Sequence, residues 1–242
     1  MNWHARYLQQ AAWTRGLRAY LFEKAGLSRA RRILEVGCGS GAILTELFTS
    51  ASLIGLDLDP AALTECRIHA PAAMLTRGDG LTLPFADDSF DIVFCHFLLL
   101  WIREPLKALL EMKRIAKKGG YILAFAEPDY TQRIDEPAEL KRLGQWQTDS
   151  LRRQGAQPGF GARLAESFHE AGIRLIEAGP IQSQSMMRSA DEHAQEWAVI
   201  EADLTGMIPN EEIQKMKVLD EEAWRKGERV LQVPVYFAAG MK

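Results

Sequence analysis

Arg32-Ile33-Leu34-Glu35-Val36-Gly37-Cys38-Gly39-Ser40-Gly41 sets a short apolar, β-branched run directly against three glycines at alternate positions. The run reads as a buried strand, and glycines at that spacing let the chain turn sharply and leave its backbone open to a ligand. Ile43-Leu44-x-x-Leu47-Phe48 follows at helical spacing, so a helix through about residue 48 is expected after the turn. A strand, a glycine turn and a helix in that order form a cradle for a nucleotide-type cofactor.

Outward from this unit, strand and helix patterns alternate. Trp13, Leu17, Tyr20, Leu21 and Lys24 recur at helical spacing before Gly26, and Trp3 and Tyr7 extend the same aromatic face toward the N-terminus. A second strand is expected over 53–57, and Asp59-Pro60 reads as an N-cap with proline in the first helical position. A weaker strand over 72–77, a strong one over 90–95 and another over 121–126 follow. Between the last two lies a helix carrying Leu106, Leu109, Leu110 and Ile115 on one face, closed by Lys113-Arg114-Lys117-Lys118 and Gly119-Gly120. Such alternation marks a parallel sheet covered on both faces, a doubly wound α/β fold. Beyond residue 128 the pattern changes to helices over about 135–154, 159–171, 189–204 and 210–228, with strands at 173–181 and 230–238. Helices outside the sheet alternation are candidates for a cap over the crevice.

Net charge is −3, from 29 basic and 32 acidic residues, which argues against a broad nucleic-acid footprint. Cys38, Cys66 and Cys95 are three in number, widely spaced and without a C-x-x-C pair, so neither a disulfide framework nor a zinc site is expected. With no apolar leader after Met1 and no stretch near the roughly 18 apolar residues of a membrane span, a cytoplasmic location is expected.

The glycines alone leave the cofactor open. Gly37-Cys38-Gly39-Ser40-Gly41-Ala42 with Asp57 twenty positions after Gly37 also meets the nicotinamide-dinucleotide pattern. Three features favour S-adenosylmethionine. Glu35, at the strand tip, would repel a diphosphate and attract the ammonium of a methionyl group. Asp79 follows the third strand, where a carboxylate can accept from an adenine amino group while Asp57 takes ribose hydroxyls. No arginine or lysine close to the glycines is evident to balance phosphate.

At this point the chain resembles the class I S-adenosylmethionine-dependent methyltransferases, in the branch of small-molecule and ubiquinone-pathway enzymes. The likeness is carried by Ile33-Leu34-Glu35-Val36-Gly37-Cys38-Gly39-Ser40-Gly41, Gly55-Leu56-Asp57-Leu58-Asp59-Pro60, Gly78-Asp79-Gly80, the segment from Leu83-Pro84-Phe85 through Phe94-Cys95-His96, and Ala116-Lys117-Lys118-Gly119-Gly120. Lys118 stands where the family usually has proline. The resemblance implies a Rossmann-like, mostly parallel seven-stranded sheet with an antiparallel last strand, for which 230–238 is suited. It also implies that the Gly37, Cys38 and Gly39 backbone lines the methionyl moiety, Asp57 binds ribose, Leu58 packs on adenine, and Asp79 with Gly80 holds the adenine edge. The backbone at Cys95, His96 and Phe97 would close the site.

One methyltransferase domain over 1–242 is expected: a helical segment at 1–28, the cofactor core at 29–127, cap insertions at 128–158 and 186–229, and completion of the sheet by 159–185 and 230–242. The acceptor is expected to be a small organic molecule. His96, Asp129 and Tyr130 follow strand ends and are candidate bases. Arg6, Trp3, Tyr7 and Trp13 are candidates for a lid, and Met186-Met187, Trp197, Trp224, Tyr236 and Phe237 for an apolar acceptor pocket. The Asn-Pro-Pro-Tyr-type motif of enzymes that methylate planar amino groups is replaced here by Cys95-His96-Phe97-Leu98.

Overall fold

The protein is described by a computed structural model for residues 3–181 and 189–242. Helix α1 (Trp3–Lys24) comes first, then strand β1 (Arg32–Val36), β2 (Ser52–Asp57), α2 (Pro60–His69), β3 (Met74–Arg77), β4 (Phe90–His96), α3 (Pro105–Ile115) and β5 (Ala116–Pro128). After these come β6 (Ile134–Glu136), α4 (Lys141–Arg153), α5 (Leu164–Glu170), β7 (Arg174–Pro180), α6 (Ala190–Leu204), α7 (Asn210–Lys226), β8 (Val230–Gln232) and β9 (Val235–Met241). Seven strands form one sheet in the order β3-β2-β1-β4-β5-β9-β7. The pairs β3/β2, β2/β1, β1/β4 and β4/β5 are parallel, whereas β9 runs antiparallel to both neighbours. The order reverses between β1 and β4, which opens a crevice at their carboxyl ends, where ligands bind in such sheets.

The central strands are apolar along nearly their whole length, because helices cover both faces. One buried layer contains Leu34, Val93, Leu109, Met112 and Phe168, and the opposite layer Ile33, Phe94, Phe125, Leu21 and Phe22. A third, separate cluster is built from Leu140, Leu143, Trp197, Ile200, Leu204, Ile213 and Ala223 of α4, α6, α7 and the turn before α4.

Five elements differ from the sequence reading, the first being the helix expected over about 135–154, where Ile134–Glu136 is strand β6 and α4 starts only at Lys141. The residues after the glycine turn form only a short 3-10 turn at Leu44–Glu46, not a helix through 48. Ala42, Ile43 and Leu44 are buried consecutively, which a one-faced surface helix cannot do, and Phe48 is almost fully exposed. Helix α3 ends at Ile115, so Lys113 and Arg114 lie in its last turn, while Lys117 is already in β5 and pairs with Asp91 at 2.6 Å. The expected strand at 230–238 is two strands: β8 pairs with β6 in a separate ribbon, and β9 alone enters the main sheet. Finally, the buried residues of α1 are Arg6, Ala11, Thr14, Arg18, Leu21 and Phe22, whereas Tyr20 is exposed. Its inner face is half polar because the upper half of the helix lies over a crevice, and only the lower half packs on the sheet.

Candidate functional site

A cavity of about 390 Å³ opens at the carboxyl ends of β1 and β4. The glycine turn forms its floor. Gly37 has φ +73°, and a β-carbon there would fall 2.5 Å from Leu98 Cδ1; Gly39 has φ +50°, with the Tyr7 ring 3.3 Å from the same point. Side chains at either position would fill the cradle and strain the backbone. Asp57, at the tip of β2, fixes the turn from below: Oδ2 accepts from Gly39 N at 2.8 Å and Oδ1 from Asp59 N at 2.9 Å. Asp59 in turn caps α2 by accepting from Ala61 N, with Pro60 in the first turn, as the sequence indicates.

The rim comes from the chain after β4, and a buried carboxylate positions it. Glu127 accepts from the backbone N–H groups of Leu98, Leu99 and Leu100 at 3.0–3.1 Å. Burial pushes its pKa up to about 7 against the pull of these three donors. An irregularity in the β5/β9 pairing next to Ala126, whose φ is +59°, accompanies this arrangement. The same rim carries Phe97 at φ +51°, so left-handed backbone occurs both there, just past β4, and at Ala126 in β5. Sequence reading missed Glu127; its only signal was a carboxylate directly after the apolar run 121–126.

Of the expected site residues, Glu35, Gly37, Cys38, Gly39, Asp57 and His96 line the cavity together. Glu35 is buried, and its Oε2 has no hydrogen-bond partner. Burial drives its pKa well above the ordinary carboxylate value, with Arg18 pulling the other way. Leu58 and Asp79 are exposed just past the tips of β2 and β3, outside the enclosed cavity. Asp79 Oδ1 accepts from Leu81 N at 2.9 Å, and Gly80 lies against Ile102 and Val36.

Helix α1 overturns one premise of the cofactor choice. Arginines do stand near the glycines: Arg6 lines the cavity, and Arg18 is close enough to act on Glu35. They were hidden because they lie about twenty to thirty residues upstream, on the polar face of α1. Both carry carboxylate partners, Arg6 with Glu196 at 2.8 Å and Arg18 with Glu46, so their charge is already balanced.

The candidate bases separate cleanly. His96 Nε2 shares a 3.0 Å hydrogen bond with Thr14 Oγ1, and burial together with Arg18 lowers its pKa to about 3, which leaves a neutral imidazole and a weak base. Asp129 is buried and consumed by its own turn, accepting from Thr131 N, Thr131 Oγ1 and Gln132 Nε2. Tyr130 lines the cavity with its pKa pushed up to about 12 by burial, so it stays a neutral donor near pH 7. Cys38 is a protonated packing residue, its thiol held up by its contact with Cys66 and by burial. Trp3 and Tyr7 line the cavity, but Trp197, Trp224, Tyr236 and Phe237 do not; Trp197 lies in the third cluster and Phe237 under the sheet. Met186 and Met187 fall outside the described residues.

An S-adenosylmethionine molecule fits this donor set. An unpartnered buried carboxylate suits its cationic end, and a cradle that a β-carbon would fill lies beside it. Residues 34–124 match the family described as the methyltransferase domain. The chain carries a class I S-adenosylmethionine-dependent methyltransferase domain. It is 35% identical over 121 residues to the demethylmenaquinone methyltransferase of Renibacterium salmoninarum, covering 48% of this chain and 51% of that one. It is 31% identical over 185 residues to a malonyl-[acyl-carrier protein] O-methyltransferase of Halorhodospira halophila, covering 72% and 57%. The chain thus spans about half the length of the curated relatives it matches. The fold is shared with a solved structure: one from Bacillus halodurans C-125, provisionally named a methyltransferase, superposes with a TM-score of 0.64 at 18% identity, over 91% of this chain and 96% of that one. The nicotinamide alternative gains no support from these relatives.

Proposed function

We propose that this protein transfers a methyl group from S-adenosylmethionine to a small organic acceptor by in-line displacement. The observation that carries the reading is the buried, unpartnered Glu35 oxygen beside the glycine turn and Asp57. When bound, the cofactor supplies an electrophilic methyl on a positively charged sulfur. The chain's own duties are then alignment and exclusion of water. In this reading the Gly37, Cys38 and Gly39 backbone receives the methionyl moiety, and Glu35 balances its ammonium directly or through water. Asp57 uses its remaining lone pairs on ribose, and Leu58, Asp79 and Gly80 form an open adenine berth. The His96 backbone with Phe97, Leu98 and Trp101 walls the transfer site. Among the described residues no helix is long and apolar enough to cross a membrane, and a cytoplasmic location belongs to the same proposal.

Calorimetric titration tests the reading. Saturable binding of S-adenosylmethionine with none of NAD or NADP is expected; the reverse preference overturns it.

Glu35→Gln gives a sharper outcome. The folded-state pKa of Glu35 lies above its ordinary 4.5, so its neutral form suits the fold. Wild-type stability is therefore full below about pH 4.5 and declines as pH rises through the raised value. Glutamine removes that decline, so the empty variant is expected to melt no lower than wild type at pH 8. Its cofactor affinity is expected to fall about tenfold, the usual worth of one charge-assisted contact. Because a cation favours the ionised carboxylate, wild-type binding releases a proton. Titration in two buffers of different ionisation enthalpy checks this, and the release disappears in the variant.

A further inference from the structure

The cavity has a second end, made by elements the sequence places far from the glycines. Asp203 of α6 lines it, together with Gln154 and Leu151 from the end of α4, Val199 of α6, Tyr130 and Arg6. Asp203 is held firmly: Oδ2 accepts from Gln147 Nε2 at 2.9 Å, Oδ1 from Gln154 Nε2 at 3.3 Å, and its carbonyl from Ser150 Oγ. Gln147, Ser150 and Gln154 stand three and four residues apart along one side of α4, so a whole polar row positions this carboxylate. Its two side-chain donors are neutral amides, which orient the group without cancelling its charge, and each oxygen keeps acceptor capacity.

The charge balance at this end is negative. Arg6 Nη2 is committed to Glu196 at 2.8 Å and Nη1 to Gln9 Oε1 at 2.7 Å, which leaves Asp203 as surplus charge. Burial and Glu196 raise the Asp203 pKa, opposed by the two glutamines and Arg6. Opposite it, Phe97, Leu98, Leu100 and Trp101 make an apolar wall.

We propose that Asp203 binds the methyl acceptor, and that the acceptor is a compact apolar molecule whose nucleophilic atom is a hydroxyl oxygen or amine nitrogen bearing a proton, not a carboxylate. This deepens the methyltransferase reading and rests on it. A hydroxyl group donates to Asp203 and turns its lone pair away from the carboxylate; an amine arrives as ammonium and first gives one proton through Asp203 to water, which frees its lone pair. As that lone pair bonds to the methyl carbon, the carbon–sulfur bond breaks with its electron pair left on sulfur. The hydroxyl's proton passes to Asp203 and then to water. A carboxylate acceptor would instead face a fixed like charge across a poorly screened gap, which disfavours its binding.

Three matched probes test this on protein saturated with S-adenosylhomocysteine: 4-methylphenol, 4-methylbenzylamine and 4-methylbenzoate, each titrated by calorimetry. The phenol or the amine is expected to bind at least tenfold more tightly than the benzoate. Asp203→Asn, with its fold checked by thermal unfolding, is expected to shrink that preference about tenfold and leave S-adenosylhomocysteine affinity unchanged. With S-adenosylmethionine present, mass spectrometry is expected to find methyl on the preferred probe, with kcat/KM for it about ten- to hundredfold lower in the variant. Equal or tighter binding of the benzoate, a preference that survives in folded Asp203→Asn, or no binding of any probe overturns the proposal. If the variant does not fold, the wild-type ranking decides alone. Failure to bind S-adenosylhomocysteine at all is a different result, and it strikes the methyltransferase reading itself.

Discussion

Asp57→Ala is expected to weaken S-adenosylmethionine binding by at least about a hundredfold while the sheet stays folded. Two effects add. Both carboxylate oxygens hold the cradle, one on Gly39 N at 2.8 Å and one on Asp59 N at 2.9 Å, so alanine releases the turn on which the methionyl moiety would rest. The same oxygens are the proposed ribose acceptors, and hydrogen bonds to a charged group contribute about 1.5–3 kcal/mol each. Loss of two such contacts gives a hundredfold or more before the loosened turn is counted. Asp57 is only half-buried and lies at the end of its strand, so the empty protein should lose little stability. Asp57→Asn should fall between the two, because its amide nitrogen cannot accept from one of the two backbone groups. Calorimetry for affinity and thermal unfolding of the empty protein separate the two quantities. A folded alanine variant with wild-type affinity would remove Asp57 from the cofactor site.

What the sequence made legible was the part of the cavity lining that sits at strand tips and in the glycine turn. Glu35 through Gly39 and Asp57 sit at strand tips, and strand tips follow from period and punctuation. A strand near the end of the chain was readable for the same reason, its antiparallel direction only through the family resemblance, and its start not at all, since 230–238 carries no mark between the ribbon strand and the sheet strand. The helix expected through residue 48 failed because tertiary burial of Ala42, Ile43 and Leu44 overrode a spacing that only looked one-faced. Another part of the site was hidden by the logic of α1 and α4. In both, polar side chains face inward: Arg6, Thr14 and Arg18 on one helix, Gln147, Thr148 and Ser150 on the other. A hydrophobicity pattern assigns such residues to solvent. Only the folded chain shows them turned inward, where each finds a polar partner.

The helices that present Asp203 depend on a buried ionic chain, and this leads to the largest expected effect on stability. Asp135 of β6 accepts from Arg133 Nε at 2.7 Å and Nη2 at 3.0 Å, and from Arg229 Nη2 at 2.8 Å. Arg229 continues to Asp220, which also accepts from Trp197 Nε1 at 2.8 Å and bonds His193 Nε2 at 2.5 Å. Arg133, Asp135, Arg229 and Asp220 each keep no more than 6% of their side-chain surface exposed. One carboxylate therefore serves two buried guanidinium groups, and α4 makes room for it with Gly144, where a β-carbon would fall 2.2 Å from Asp135 Oδ2. Asp135→Ala takes from buried Arg133 its carboxylate partner and from Arg229 one of two, Asp220 remaining, and breaking a buried pair in this way costs about 3–5 kcal/mol. The loss should concentrate in α4, α6 and α7, which share their own apolar cluster, and in the β6/β8 ribbon that Asp135 and Arg229 tie to them. Hydrogen exchange should then rise at their amides while β1, β4 and β5 stay protected. Cofactor affinity should change far less than with Asp57→Ala, since Asp135 does not line the cavity. Turnover should nevertheless collapse, because the Gln147–Asp203 contact spans two helices that the variant no longer holds together. Uniform loss of protection across sheet and helices would show instead that this ionic chain supports the whole fold and has no special bearing on the acceptor end.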